Sequence, residues 1–231
     1  MAILFDYKVN NGKINMAEDE RLLDFAIENK LAEPILRLYG WNPKCVSLGR
    51  NQNESTINKE YCELNEIDIV RRLTGGRALL HDRELTYAFI CPESFLDCHN
   101  SVIQSYKKIS GALSEGFKQL DIELNFPENK KANTKHDYCM SISTGADLSY
   151  NEKKLIGSAQ LRKHNYIMQH GSILIDYDAE MIKKIFNENI DKNSITTIEE
   201  IKPGLDIKDI SEAIICGFEK YFKFKFKKMT L

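Results

Sequence analysis

No apolar run in the sequence approaches the roughly 20 residues that a membrane-crossing helix needs. The opening MAILFDYKVNNGK has neither the basic start nor the small-residue cleavage site of a signal peptide. A cytoplasmic protein without a membrane association is therefore expected. An excess of charge of one sign is missing too: Lys+Arg number 32 against 34 Asp+Glu, a net charge of −2. That balance gives no long-range attraction for duplex nucleic acid or an anionic membrane, so neither is expected as a partner. The six cysteines (Cys45, Cys62, Cys91, Cys98, Cys139 and Cys216) form no C-x-x-C pair. A zinc knuckle and a thioredoxin-like motif are thereby excluded, no metal site is predicted, and in a reducing compartment these are free thiols, most of them small core residues. Repeats, low-complexity tracts and linkers are also absent. The 5 prolines and 12 glycines are spread along 231 residues, which predicts a single domain over residues 1–231.

What is present is an ordinary core-forming composition, 42% hydrophobic and 29% charged. Leu22, Leu23, Ala26, Ile27 and Leu31 recur at helical spacing behind Asn15 and Glu18, which resemble a capping pair; a helix over 16–30, ended by Pro34, follows. Val102, Ile103, Tyr106, Ile109, Leu113, Phe117 and Leu120 form a second apolar stripe behind Asn100-Ser101. Met181 to Phe186 and Ile207 to Tyr221 suggest two more helices. Strand character marks residues 35–39, 46–48, 67–71, 85–90, 155–156 and 167–175, and the alternating Lys223 to Lys227 suits an edge strand. Several strands follow one another without an intervening helix. The fold class is therefore α+β, a mixed, largely antiparallel sheet with helices packed on it.

Three segments could carry chemistry. The first runs from Arg71 through Arg72, Thr74, Gly75, Gly76 and Arg77 to His81. Its Gly-Gly pair between strands lets a ligand approach the main chain, and its arginines offer planar forks for a phosphate or carboxylate. A plain hairpin turn with solvated arginines is the alternative. Neither a P-loop nor a dinucleotide-binding turn fits, since no G-K-[ST] and no G-x-G-x-x-G is found there. The second is Lys153-Lys154-Leu155-Ile156-Gly157-Ser158-Ala159-Gln160, with Gln169-His170-Gly171-Ser172 beyond it. Small residues there suit a strand with a ligand lying along it, and Lys154 could place an ammonium in a cleft or simply sit in an exposed turn. The third is Cys139, a nucleophile only if a cation or a helix N-terminus favours its thiolate.

Together these segments resemble the biotin/lipoate protein ligase superfamily, and within it the cysteine-dependent octanoyltransferases. The likeness includes Asn15-Met16-Ala17-x-Asp19-Glu20, Leu36 to Trp41, Ser47 to Gln52, the stretch Arg71 to Tyr87, Gly157 to Gln160 and Gln169 to Ser172. Cys139 lies fifteen residues before Lys154, and Lys154 three before Gly157, the spacing expected of that family. The resemblance implies that Cys139 accepts an octanoyl group from acyl carrier protein as a thioester. It implies that Lys154 lowers the thiol pKa and steadies the acyl carbonyl, and that a lysine of a lipoyl domain, in glycine cleavage H protein or a 2-oxoacid dehydrogenase E2, is the acceptor. Arg72, Thr74, Gly75, Gly76, Arg77, His81, Gly157, Ser158, Ala159 and His170 would line the substrate cleft. No cofactor is required for such a transfer.

An ATP-dependent lipoate-protein ligase is the rival reading. There Arg72, the glycine segment and Lys154 would bind an adenylate, ATP and Mg would be needed, and Cys139 would be incidental; the expected lack of a separate C-terminal accessory domain favours transfer. Passage of octanoate between two lipoyl domains and a non-catalytic module that only holds a lipoyl domain are further alternatives. A cysteine hydrolase would need a histidine base, and none of His81, His99, His136, His164 or His170 can be tied to Cys139 from sequence.

Overall fold

The computed structural model describes residues 1–98, 101–126, 138–141 and 147–229. In chain order the elements are β1 (Ala2–Asn10), α1 (Gly12–Glu28), β2 (Ile35–Trp41), β3 (Cys45–Leu48), α2 (Lys59–Leu64), β4 (Asp68–Arg71), β5 (Leu79–His81), β6 (Glu84–Pro92), α3 (Glu93–Leu96) and α4 (Val102–Phe117). They continue with β7 (Leu148–Tyr150), β8 (Lys153–Lys163), β9 (Tyr166–Leu174), α5 (Ala179–Phe186), α6 (Ile198–Ile201), α7 (Ile207–Phe222) and β10 (Phe226–Met229). No helix among the described residues is long and apolar enough to cross a membrane.

The larger sheet has the order β10-β1-β2-β6-β9-β8-β7. Its β10–β1 and β1–β2 pairs are parallel, and the pairs from β2 onward are antiparallel. A smaller sheet, β4-β3-β5, stands apart from it. This is the expected α+β class with a mixed, mostly antiparallel sheet. Because side chains alternate along a strand, each inner strand serves two faces. Leu36 and Leu38 of β2 with Leu85, Tyr87 and Phe89 of β6 join a core with Ile109, Leu113 and Phe117 of α4 and Ile210, Ile214 and Phe218 of α7. On the opposite face Ile35 and Ile90 pack with Leu22, Leu23 and Ala26 of α1. A separate core lies beneath the smaller sheet, where Val46, Leu48 and Leu80 meet Tyr138, Met140, Ile182 and Phe186.

The first helix differs from its expected span. It is capped by Asn11, whose side chain accepts from the Ile14 amide, and it closes at Asn29, well before Pro34. Asn15 is no cap: it is buried within the helix and its side-chain amide donates to Gly40 O at 3.0 Å. The three other expected helices are found, α4 with Ser101 as its cap. The edge strand near the C-terminus falls at β10, pairing parallel to β1. β1 itself was not among the expected strands, its apolar start being broken by Asp6 and Lys8.

Candidate functional site

The site lies on the sheet face opposite α4 and α7, where β6, β8 and β9 look toward β3, β5 and α1. A small pocket is lined there by Met16, Tyr39, Trp41, Ser47, Arg72, Leu79, His81, Thr86, Cys139, Gly157, Ser158, Ala159, His170, Gly171 and Ser172. Of the residues anticipated from sequence, Cys139, Arg72, His81, Gly157, Ser158, Ala159 and His170 line it. Thr74, Gly75, Gly76, Arg77 and Lys154 do not line it: Thr74 and Lys154 are buried beside it, whereas Gly75 and Gly76 are exposed. Ser158 contributes backbone only in the sense that its hydroxyl turns to the other face, 2.8 Å from the Tyr87 hydroxyl.

Lys154 reaches this face through an irregularity in its strand. Leu148 pairs with Ile156 but Ser149 pairs with Lys154, so Leu155 is an extra residue in β8. The bulge shifts the alternation, letting Leu155 and Ile156 both enter the α4–α7 core while Lys154 turns to the pocket face. Its ammonium lies 3.0 Å from Asp147 Oδ2, both side chains only 2% exposed, and donates to Cys139 O at 3.2 Å. Gly157 makes room for it, since a Cβ there would come within 2.8 Å of Met140 Sδ and 3.0 Å of Lys154 Cε. Cys139 is half-buried in a short helical turn, and its amide donates to Ala78 O at 2.8 Å. The other cysteines are free as well, and Cys45, Cys62, Cys91 and Cys98 are buried.

Arg72 is a clip for the glycine loop. Its guanidinium donates to Ser47 O at 2.9 Å, Ser47 Oγ at 3.1 Å, Gly75 O at 2.9 Å and Arg77 O at 2.7 Å. Gly76 has φ +91°, a left-handed conformation that favours glycine. A Cβ at Gly49 would lie 1.9 Å from the Gly76 carbonyl oxygen, so the two turns touch main chain to main chain. The solvated-arginine alternative therefore fails for Arg72, which is 7% exposed. Burial pulls its guanidinium pKa down, and a negative charge on Cys139 would act the other way.

Two buried histidines flank the pocket, each held by a carboxylate. His81 stacks on Trp41 with ring centroids 3.9 Å apart. Its Nδ1–H donates to Glu84 Oε1 at 2.8 Å and its Nε2 lies 2.8 Å from Ser47 Oγ. Glu84 also accepts from the Thr86 and Ser172 hydroxyls, and Thr86 Oγ1 accepts from Trp41 Nε1–H at 2.8 Å. Burial opposes the Glu84 charge, but His81 and the hydroxyl donors outweigh it and hold the carboxyl below its ordinary range. His170 Nε2 is 2.6 Å from Thr74 Oγ1, and its Nδ1–H donates to Asp19 Oδ2 at 3.3 Å. Asp19 is paired with Arg37 at 2.5 Å and accepts from Tyr39 OH at 2.8 Å. Burial works against Asp19 as well; the His170 hydrogen bond and the Arg37 charge prevail and keep its pKa low.

Sequence reasoning gave no role to Glu84, Asp19, Ser47, Thr86, Ser172 or Asp147. The available signal was polar residues two apart on otherwise apolar strands, Glu84 and Thr86 on β6 and His170 and Ser172 on β9, which marks one buried face as polar. Asp147 carried no such signal. His99 and His136 lie outside the described residues. Among the described residues no group of three or more His, Cys, Asp or Glu side chains could hold a metal ion.

Residues 11–219 match the model of the lipoyl protein ligase A/B catalytic domain. An octanoyltransferase LipM of Halalkalibacterium halodurans is 36% identical over 236 residues, which cover 94% of this chain and 85% of that protein. The octanoyltransferase LipM of Staphylococcus aureus is 37% identical over 229 residues, 90% of this chain and 81% of that one. Among solved structures, lipoate-protein ligase A bound with ATP superposes with a TM-score of 0.80 at 20% identity, covering 100% of this chain and 89% of that one. A bi-partite lipoate protein ligase from Thermoplasma acidophilum gives 0.78 at 18% identity, with 100% and 86% covered. At such identities the solved structures share the fold.

Proposed function

The chain belongs to the lipoyl protein ligase A/B catalytic domain family, and from that membership we propose that it is an octanoyltransferase acting through an acyl-Cys139 intermediate. The curated relatives at 36% and 37% identity are named octanoyltransferases, which supports acyl transfer. The observation that carries the covalent route is local. Cys139 is the cysteine that lines the pocket, and the buried Lys154 ammonium sits 3.2 Å from its carbonyl oxygen beside the space left by Gly157.

In the first step the Cys139 thiolate attacks the thioester carbonyl of octanoyl-acyl carrier protein. A new C–S bond forms, the carrier's C–S bond breaks, and the carrier leaves as its thiol after taking a proton. Lys154 donates to the carbonyl oxygen as charge gathers on it. In the second step the amine of a lipoyl-domain lysine attacks the acyl-Cys139 carbon. The C–N bond forms as the C–S bond breaks, and the amine proton passes to the departing sulfur. Exchange of one thioester for another is nearly balanced and conversion to an amide is downhill, so this route needs neither ATP nor Mg. A lipoyl-domain acceptor fits the Thermoplasma acidophilum system, which pairs its lipoate protein ligase with an E2 lipoyl domain; a cytoplasmic location belongs to the same proposal.

Incubation with octanoyl-acyl carrier protein without nucleotide tests the reading. The expected results are an octanoyl adduct on Cys139 by peptide mass spectrometry, its discharge onto a lipoyl domain, and loss of turnover in Cys139→Ser. Full activity of the serine variant, or transfer only when ATP is present, would overturn it.

A further inference from the structure

Resting on that covalent reading, we propose that Arg72 is the cation that holds the Cys139 thiolate, and that the Lys154–Asp147 pair is left to bind the acyl carbonyl. Charge compensation around this single pocket is uneven. Lys154 is neutralised by Asp147 at 3.0 Å. His81 faces Glu84 at 2.8 Å and His170 faces Asp19 at 3.3 Å. Arg37, behind the wall, is also paired with Asp19.

Arg72 differs from all of these. Its hydrogen bonds go to three neutral carbonyls and one hydroxyl, and among the described residues no carboxylate faces it. Those bonds engage its four terminal N–H groups and bring it no countercharge in a poorly solvated setting, where a guanidinium does not shed its proton. Cys139 lines the same pocket. An anion formed on its sulfur supplies the missing countercharge, and a charge there favours the protonated guanidinium against the burial that opposes it. Among the described residues Tyr106 and Tyr138 also interact with Cys139; burial pushes both up, and they bring no charge at neutral pH. A salt-bridged lysine contributes little net field but remains a directed donor, which suits a carbonyl oxygen better than a thiolate.

The test is alkylation of Cys139 across pH, followed by peptide mass spectrometry, with half-buried Cys216 as internal control. Neutral iodoacetamide reports the thiolate fraction, and the ratio of iodoacetate to iodoacetamide rates reports uncompensated positive charge. In Arg72→Gln the alkylation midpoint should rise by about one pH unit or more and the ratio should fall about tenfold, because the countercharge is lost. In the double variant Lys154→Gln with Asp147→Asn, which removes both charges of the pair, both should stay near the parent values while octanoyl transfer drops about a hundredfold or more. Arg72→Lys, which keeps the charge but not the fork, should retain the low midpoint, separating charge from loop clipping. A midpoint that moves with the Lys154→Gln, Asp147→Asn double variant and not with Arg72→Gln overturns the assignment. Failure of the parent enzyme to accept octanoate on Cys139 would instead overturn the covalent reading, whatever the alkylation shows.

Discussion

The two faces of the large sheet are built by the same strands and obey opposite rules. Toward α4 and α7, β2 and β6 present Leu36, Leu38, Leu85 and Phe89, and Phe89 meets Phe218 at 4.7 Å between ring centroids. Toward α1 and the small sheet the same strands present Arg37, Tyr39, Trp41, Glu84 and Thr86, all buried. Each large apolar side chain on the first face stabilises the fold by roughly 1.5–3 kcal/mol. The charges on the second face at best offset their own desolvation, and only while every partner is in place. One face therefore holds the fold, and the other uses that stability to keep polar groups in a fixed, dry arrangement around a pocket.

Perturbing one residue on each face separates the roles. Asp19→Asn should have the largest effect, because it leaves Arg37 buried without its carboxylate and loosens His170: about 3–5 kcal/mol in denaturant unfolding, with transfer activity falling as well. Phe218→Ala should cost a comparable 3–5 kcal/mol through the cavity it leaves, yet the rate per folded molecule, normalised to the octanoyl adduct on Cys139, should be unchanged. Loss of per-molecule activity in the phenylalanine variant, or an active and stable Asp19→Asn protein, would erase the distinction between the faces.

The apolar face was the legible one. Its helices α4 and α7, like α5 beneath the smaller sheet, follow from periodicity because burial of one stripe dictates the spacing, and β2, β6 and β9 are found where apolar runs predict strands. The polar face was legible in composition and not in wiring. Arg72, His81, His170 and Cys139 could be named as candidates, but that Arg72 reaches Ser47, or that His170 is held by Asp19, depends on contacts between residues far apart in the chain. Lys154 shows the limit most clearly. A regular strand would have pointed it away from Gly157, and the bulge at Leu155 that reverses it has no mark in the sequence. Asn15 misled for a related reason: a side chain suited to capping was taken up by a tertiary contact with Gly40.

A smaller change sharpens the polar side alone. Gly157→Ala places a methyl group against the movable ends of Met140 and Lys154, so the fold should absorb it while the ammonium is displaced from Cys139 O. Unfolding free energy should change by less than about 1 kcal/mol, within the range of mild overpacking. The transfer rate should fall roughly 10- to 100-fold, about 1.4–2.7 kcal/mol of barrier. Stopped-flow acylation of Cys139 gives that rate directly, and an unaltered value would remove Gly157 from the account of how Lys154 is placed.

The gentlest discriminator is acid. Glu84 and Asp19 titrate below their ordinary values of 4.5 and 3.8 in the folded protein. A depressed folded pKa contributes stability that is complete above the unfolded value and is lost as pH falls through the folded one. The melting temperature should therefore be level from about pH 8 to 5 and decline below about 4.5, where protons begin to favour the unfolded chain. Salt of about 0.5 M screens the exposed carboxylates and leaves the buried pairs largely unscreened, so the decline should survive it. Glu84→Gln should make that decline shallower by removing one of the groups responsible. Phe218→Ala should lower the whole curve and leave its shape alone, since an apolar cavity binds no proton; an equal acid limb in Glu84→Gln and the parent would show that the polar face is not where the acid sensitivity resides.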